Sequence, residues 1–229
     1  MSALYQAAAV AQTGEALIRW DWVMRHDERI RALFLDHVEL TAIPVLLGLA
    51  IAFPLSLSAV RWPRLYAPLL AGTGLLFTIP SLALFVLLLP FTGLSRTTAI
   101  IPLTLYTLLV LTRNIVEGFR GVSDDVSEAA EAMGYTRPRR LVNVELPLAL
   151  PVIIAGVRIA TVTTVGLVTV TAVIGQGGLG RLFLEGLRFR DTTPLLVGVA
   201  GCIVLAVLAD LALLAAERHM TPWTRRARS

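Results

Sequence analysis

Residues 123–147, SDDVSEAAEAMGYTRPRRLVNVELP, are the one long polar stretch between two strongly apolar halves of the chain. Ser123 can cap a helix by accepting a hydrogen bond from a free backbone N–H group, and the carboxylates of Asp124 and Asp125 suit the first turn of that helix. Gly134 supplies a residue type at which helices commonly end. The stretch therefore predicts a short helix that begins after Ser123 and stops at Gly134, on the aqueous side of two membrane-embedded halves.

One face of this predicted helix carries small and apolar side chains. Four of them recur at the i, i+3, i+4 and i+7 spacing of a helix face: Val126, Ala129, Ala130 and Met133. Glu128 and Glu131 face elsewhere. Because small side chains allow another surface to approach closely, we expect this stripe to be a docking face. Pro138 is tolerated in the first turn of a second helix, which Pro147 is expected to end or kink.

The spacing of Glu128-Ala129-Ala130, Gly134 and Val144-x-Leu146-Pro147 resembles the EAA loop of ABC importer permeases. In that family the loop is cytoplasmic and lies in a cleft of the ATPase subunit. Val144 departs from the family pattern, which usually has isoleucine there. The resemblance implies that coupling to the ATPase runs through Val126, Glu128, Ala129, Ala130, Met133, Gly134, Leu146 and Pro147. The alternative is an ordinary amphipathic loop helix of a membrane protein.

The composition is typical of a polytopic membrane protein. Of the 229 residues, 56% are hydrophobic, the mean hydropathy is +0.75, and the apolar residues come in long blocks. The formal charge of +4 arises from arginines at the edges of these blocks, so membrane topology explains it better than nucleic-acid binding does. The sequence has no lysine, and a Walker A loop needs one to reach the phosphates of ATP. Any ATP must therefore be hydrolysed by a partner.

The residue pattern gives no support for catalytic or metal chemistry. Cys202 is the only cysteine, so neither an intrachain disulfide nor a thiolate cluster can form, and no cofactor is expected. His26, His37 and His219 flank the apolar segments, where we expect interface side chains. The spans lack paired carboxylates, a Ser/His arrangement and an HExxH motif. A transport component is therefore expected; a membrane-embedded enzyme or a passive channel is the alternative.

Five apolar segments are each long enough to cross the ~30 Å hydrocarbon core, which takes ~20 residues as a helix. They are residues 40–60, 65–95, 97–117, 148–174 and 193–216. The second is uncharged for 31 positions, about 46 Å as a helix and too long for one straight span. Pro80 predicts a break near residues 78–81, either within one tilted helix or between a tight pair of half-helices. The predicted fold is an all-α polytopic membrane protein with five transmembrane helices and the insert between the third and fourth.

The two ends of the chain are predicted to differ from its centre. Residues 1–38 contain Trp20 and Trp22 and an apolar stripe, so an interfacial helix is expected there; a solvated tail is the alternative. The stripe consists of Ile30, Leu33, Phe34 and Val38. Residues 39–217 are expected to form the permease transmembrane domain, and residues 218–229 a cytoplasmic tail. With five spans and a cytoplasmic insert, the N-terminus lies outside and the C-terminus inside.

A glycine-rich run follows the fourth apolar segment. Its glycines are Gly175, Gly177, Gly178 and Gly180. The letters match a dinucleotide-binding fingerprint, but that motif binds phosphate only between a strand and a helix of a βαβ unit. After a membrane helix, the run favours a tight turn at the outer surface. It also resembles the same permease family, in which the outer loops contact a substrate-binding protein.

Two charged residues, Arg158 and Asp210, lie well inside predicted spans. Arg158 is about 16 Å along its helix from Pro147, and Asp210 is about 12 Å from Arg218 on the same side of the membrane. Because an unpaired charge near the middle of the membrane costs about 2.5–3.5 kcal/mol, we expect the two to form an ion pair between the fourth and fifth spans. The alternative is that each side chain snorkels separately or lines a wet passage.

Three further stretches indicate a substrate class. TIPSLALF at residues 78–85, LPVIIAGVR at residues 150–158 and the GGLG turn resemble permeases for osmoprotectants such as glycine betaine, carnitine and choline. Permeases for methionine and phosphonate share the methionine-importer-like type I fold and the glycine turn, and are the alternative. The resemblance implies a bacterial inner-membrane location and these partners: two ATPase subunits, a substrate-binding protein, an identical or paralogous second permease and the bilayer. No nucleic-acid partner is expected.

Overall fold

The computed structural model describes residues 17–223, and the regular structure within that range is helical. The helices are α1 (Trp20–Arg25), α2 (Asp27–Arg61), α3 (Tyr66–Thr78), α4 (Ser81–Thr92), α5 (Arg96–Arg120), α6 (Asp124–Ala132), α7 (Arg137–Arg140), α8 (Leu146–Val170), α9 (Gly180–Phe189) and α10 (Thr192–Met220). Short 3-10 turns at Pro63–Leu65 and Thr171–Ile174 and a π turn at Leu141–Glu145 join neighbouring helices. The all-α prediction is confirmed.

The long apolar helices match the predicted segments in position. Among the described residues, four helical stretches are long and apolar enough to cross a membrane: α2, α5, the continuous stretch Arg137–Ile174, and α10. The Pro63–Thr78 stretch and α4 pass the same test only as a pair, bent by 88°. The described residues therefore contain four candidate spans, or five if the bent pair counts as one.

Helices α2, α5 and α8 form the centre of the chain and pack on one another along their lengths. Small residues mark the crossings: a Cβ atom added at Gly48 of α2 would lie 1.9 Å from Thr107 Oγ1 of α5. One added at Gly156 of α8 would lie 2.4 Å from the Asn114 Cβ of α5. Membrane helices associate largely through such close packing, because lipid tails remove the hydrophobic driving force. The buried side chains of this centre are Ala52, Leu108, Leu111, Ile115, Phe119, Ala149, Ile153 and Ala160.

The second apolar segment is broken where the sequence predicts. Helix α3 ends at Thr78 and α4 begins at Ser81, and the 88° bend corresponds to a pair of half-helices instead of one tilted helix. The free carbonyl of Ile79 accepts a hydrogen bond from the Tyr106 hydroxyl at 2.5 Å. Backbone groups at membrane depth must be satisfied within the protein. Tyr106 of α5 therefore supplies the partner that the break requires.

Pro147 does not end the helix that precedes the fourth span, so this part of the prediction is wrong. The chain stays helical from Arg137 to Val170 through the π turn Leu141–Glu145, in which the Leu146 N–H bonds to the Leu141 carbonyl. A proline lacks an N–H group and its ring crowds the carbonyl four residues earlier. The wider π turn directly before Pro147 absorbs that defect, so the polar insert and α8 form one helical stretch.

Residues 27–38 do not form a separate interfacial helix, which corrects a second expectation. They are the first turns of α2, which runs unbroken into the first apolar segment. The side chains of Trp22 and Leu33 are buried against Leu179 and Leu182. The apolar stripe thus finds a protein partner in the segment after the fourth span, and this contact replaces the membrane interface. Residues 1–16 of the predicted segment, and 224–229 of the predicted tail, lie outside the described residues.

Candidate functional site

The helix of the polar insert begins and ends where the sequence predicts. The Ser123 hydroxyl accepts a hydrogen bond from the Asp125 N–H at 3.2 Å and caps α6. At the other end, Gly134 takes a left-handed φ of +82°, and the Tyr135 N–H returns to the Ala130 carbonyl at 3.1 Å. Left-handed residues are strained for side chains with a Cβ, so glycine suits this position.

The small-residue stripe of α6 is only partly free. Val126 and Met133 are 38% and 70% exposed, and Glu128 and Ala129 are exposed as well. Ala130 is only 1% exposed, because α6 packs that face against α7 and the π turn. The expectation that Ala130 belongs to an open docking face is therefore wrong. The open face of α6 consists of Val126, Ala129 and Met133, with Glu128 beside it.

Arg140 fastens the insert to itself in a way that the sequence did not reveal. Its side chain pairs with Glu131 of α6 and donates from Nε to Glu145 Oε1 at 2.6 Å. Residues five apart lie on different faces of an α-helix, but the π turn between Arg140 and Glu145 brings them together. Leu146 and Pro147 follow as half-buried residues, and Leu146 packs against the α2–α5–α8 core. The two ends of the insert are thereby held in a fixed relation.

The charged side chains inside the spans meet as expected. Arg158 donates from Nε to Asp210 Oδ1 at 2.8 Å and from Nη2 to Asp210 Oδ2 at 2.9 Å, which is a two-pronged pair between α8 and α10. Its remaining nitrogen lies 3.5 Å from Glu217 Oε2. Glu217 was not predicted, although it lies seven residues after Asp210 and therefore on the same face of α10. Arg158 and Asp210 also line a shallow depression that is open to the outside of the chain.

The glycine run forms a tight turn that folds back over the end of α8. Gly175, Gly177 and Gly178 have φ angles of +76°, +97° and +45°, all in the left-handed region. A Cβ atom at Gly180 would lie 2.5 Å from the Thr169 carbonyl oxygen, so the backbone approaches α8 too closely for any side chain. The turn therefore needs glycine for conformation at three positions and for space at the fourth.

His37 is fully buried, so the expectation of an interface side chain is wrong for this histidine. Its Nδ1 atom accepts a hydrogen bond from the Leu179 N–H at 3.3 Å, which leaves Nε2 to donate to the Val165 carbonyl at 3.0 Å. Gly178 packs directly on the backbone of His37. One side chain thus ties the first span to the fourth and to the glycine turn. Its position one turn before the first apolar segment gave no signal of that role.

The whole central region matches a family model. The model is described as the binding-protein-dependent transport system inner membrane component, and it matches residues 45–222. The chain belongs to this family. Its members are transport permeases, so an enzymatic function is excluded, as the sequence predicted. Membership implies an ATPase, a substrate-binding protein and a second permease subunit as partners in the inner membrane.

Curated relatives give the family a closer context. The choline transport system permease protein OpuBB of Bacillus subtilis (strain 168) is 34% identical over 187 residues, covering 82% of this chain and 86% of the relative. The osmoprotectant import permease protein OsmW of Salmonella typhimurium is 36% identical over 198 residues, covering 84% of this chain and 92% of the relative. This permease therefore shares most of its length with both.

Solved structures agree on the fold. The permease of the MetNI methionine ABC transporter, in inward-facing conformations, matches with a TM-score of 0.72 at 23% identity, covering 84% of this chain and 96% of the other. A chain of an amino acid ABC transporter with histidines matches with a TM-score of 0.66 at 19% identity, covering 88% and 99%. This permease therefore has the type I ABC importer fold that the sequence resemblance implies.

Proposed function

We propose that this permease forms the translocation pathway of an ABC importer for an osmoprotectant such as glycine betaine, carnitine or choline. The observation that carries the proposal is the set of relatives at 32–36% identity over four-fifths of the chain, whose names include choline, glycine betaine, carnitine and osmoprotectant transport. The absence of lysine supports a separate ATPase subunit, because this chain lacks the residue that a Walker A loop requires.

Transport by the reconstituted importer tests the proposal. The permease is placed in liposomes with its ATPase subunit, ATP is enclosed, and the binding protein and radiolabelled glycine betaine are added outside. We expect ATP-dependent uptake that excess unlabelled carnitine or choline reduces and that methionine or a phosphonate does not. Uptake of methionine without uptake of glycine betaine would show a different substrate.

The same proposal includes five spans, with the bent α3–α4 pair as the second. This number places the N-terminus outside, and it places the polar insert and the C-terminal tail in the cytoplasm. In a variant without Cys202, we expect a cysteine at Ser123 to react with an impermeant thiol reagent only from the cytoplasm. We expect one at Leu187, which is 67% exposed, to react only from outside. The reverse pattern would invert the orientation.

We assign residues 1–38 to an N-terminal segment, residues 39–217 to the transmembrane domain, and residues 218–229 to a tail. The family match to residues 45–222 supports the central range. The assembly is proposed to contain two permease and two ATPase subunits. Native mass spectrometry of the intact complex measures that stoichiometry and separates an identical from a paralogous second permease.

Within this assembly, the insert is proposed to couple the permease to the ATPase. The exposure of Val126, Ala129 and Met133 supports a docking face on α6, with Glu128 at its edge. The buried Ala130 and the pairs of Arg140 support a rigid helix, which can transmit a displacement. Leu146 and Pro147 connect this helix to α8, so a movement of the ATPase cleft would reach the fourth span directly.

A further inference from the structure

The arginines of α9 carry a positive charge that the rest of the outer segment does not neutralise. The two carboxylates of this region are already paired: Glu185 with Arg29 of α2, and Asp191 with Arg19. The other arginines are Arg181, Arg188 and Arg190, and no carboxylate within residues 17–223 forms an ion pair with them. Arg181 instead donates to carbonyls of the glycine turn, and Arg188 lies over the ring of Phe189, 5.8 Å from its centre.

These cations are combined with exposed apolar side chains on one surface, which we name the α9 platform. It is a shallow depression lined by Arg29, Arg181, Leu184, Glu185, Arg188 and Phe189. Phe189 is 70% exposed, and Leu184 is 40% exposed. Arginine and aromatic side chains together are enriched at protein–protein contacts, whereas monomeric surfaces rarely expose clustered apolar groups in water.

The height of the platform above the bilayer indicates that it faces water. Glu39 pairs with Arg96 at 2.5 Å directly before the first apolar segment, and this pair marks the polar edge of the membrane. Arg29 lies ten residues earlier on the same helix, which is about 15 Å at ~1.5 Å per residue. The headgroup layer is only about 5–8 Å thick on each side. The Arg29–Glu185 pair therefore holds α9 beyond the headgroups, where a protein can reach it more readily than a lipid.

The platform is also held rigidly. Beneath it, Leu179 and Leu182 are fully buried against Trp22 and Leu33. Ion pairs from α2 and from the segment before α1 hold both ends of α9. A surface that is already ordered loses little conformational entropy when a partner binds. This support favours a docking surface over a loop that merely connects two spans.

We propose that the α9 platform is the docking site of the importer's substrate-binding protein, which meets Arg181 and Arg188 with carboxylates of its own. The proposal rests on the proposed function and its orientation, which put α9 outside. Charge complementarity of this kind steers a soluble partner to the correct face of a membrane protein, and it makes the association weaken as salt screens the charges. Phe189 and Leu184 would supply the apolar contact area.

The deciding variant is Arg188→Glu, because Arg188 has no carbonyl or carboxylate partner among the described residues and its replacement leaves the glycine turn intact. The matched control is Arg25→Glu, since Arg25 is an exposed outer arginine that pairs with Asp21 within its own helix region and lies outside the platform. Each variant is purified with its ATPase and placed in nanodiscs, and binding of the ligand-loaded binding protein is measured over a range of salt concentrations.

We expect Arg188→Glu to weaken binding at least about tenfold at low salt and to flatten its salt dependence, and Arg25→Glu to change affinity less than about twofold. Reversing the charge of one rim carboxylate of the binding protein should restore affinity for the Arg188→Glu variant. Equal affinities for the wild type and Arg188→Glu would overturn the proposal. So would a difference that exists only in nanodiscs containing phosphatidylglycerol and vanishes in pure phosphatidylcholine, which would identify a lipid contact.

The docking proposal and the transport proposal fail separately. If the wild-type importer takes up methionine and not glycine betaine, the proposed substrate is wrong, while the loss of docking in Arg188→Glu still holds. If glycine betaine is transported and Arg188→Glu binds the binding protein normally, the docking surface is wrong and the proposed function is unaffected.

Discussion

Arg158 of α8 and Asp210 of α10 hold each other through two parallel hydrogen bonds of 2.8 and 2.9 Å, with Glu217 at 3.5 Å as a weaker third partner. The third partner makes the network asymmetric. Removing Arg158 leaves two carboxylates without their cation, whereas removing Asp210 leaves Arg158 with Glu217. The contribution of each residue to folding should therefore differ.

We expect Arg158→Leu to lower the yield and the melting temperature of the purified permease more than Asp210→Leu does. Each unpaired charge inside the membrane costs about 2.5–3.5 kcal/mol. The double variant should regain part of the loss, because only Glu217 near the end of α10 then remains unpaired. Fluorescence-detected size-exclusion chromatography after heating measures all three.

The control for this network is Arg113→Leu, since Arg113 forms an exposed pair with Glu117 on its own helix and such pairs contribute little. Losses from Arg158→Leu and Asp210→Leu that simply add in the double variant would contradict a direct interaction. In that case the two side chains would act independently, as the alternative interpretation of the sequence held.

His37 is expected to determine the position of the glycine turn. The variant His37→Ala removes the acceptor of the buried Leu179 N–H, and an unsatisfied buried donor costs about 1–3 kcal/mol. The variant His37→Asn places an oxygen near the position of Nδ1 and should preserve that bond. Hydrogen exchange of residues 175–189 should therefore accelerate in His37→Ala and much less in His37→Asn.

The exposed His219 at the other end of the chain provides the matched control, and His219→Ala should leave this exchange unchanged. If His37→Ala and the wild type exchange at the same rate, the turn is held by its glycines and the packing of Leu179 alone. A loss of exchange protection in the Asn and Ala variants alike would assign the effect to side-chain volume instead of the hydrogen bond.

Tyr106 is expected to stabilise the bend between α3 and α4 through its hydroxyl. The variant Tyr106→Phe keeps the ring and its edge-to-face contact with Phe77, but it leaves the Ile79 carbonyl without this donor. We expect the free energy of unfolding to fall by about 1–3 kcal/mol and exchange near residues 79–84 to accelerate. Tyr135→Phe in the insert is the control and should change neither; an unaltered bend in Tyr106→Phe would show that packing suffices.

Local sequence signals predicted the features that depend on neighbouring residues. The cap at Ser123 and the stop at Gly134 require only a few adjacent side chains. The apolar segments and the break near Pro80 follow from length and from proline geometry. The contact between Arg158 and Asp210 was predictable because depth in a membrane is a single coordinate that can be counted along a helix.

Features that depend on contacts distant in sequence were not predictable. The burial of Ala130 results from packing of α6 on the π turn, and the π turn itself forms around the defect at Pro147. The stripe through Leu33 suggested a membrane interface, because amphipathic helices bury that face equally well in lipid or in protein. His37 gave no signal, since its partners Val165 and Leu179 are far away in the sequence.

The last prediction separates two possible roles of Gly134. Its φ of +82° strains any residue with a Cβ, yet a Cβ added there meets no atom within 4 Å. Within this chain, Gly134→Ala and Gly134→Trp should therefore cost a similar ~1–2 kcal/mol of conformational strain, and Gly134→Asn less. If the glycine only ends α6, uptake and ATPase association should follow that order, with Ala and Trp alike. We expect instead that Trp abolishes ATPase association while Ala weakens it only modestly, because the added ring would collide with a surface outside this chain. Co-purification of the ATPase with each variant measures the difference. Equal retention of the ATPase by the Ala and Trp variants would remove Gly134 from the coupling contact and leave it as a helix terminator.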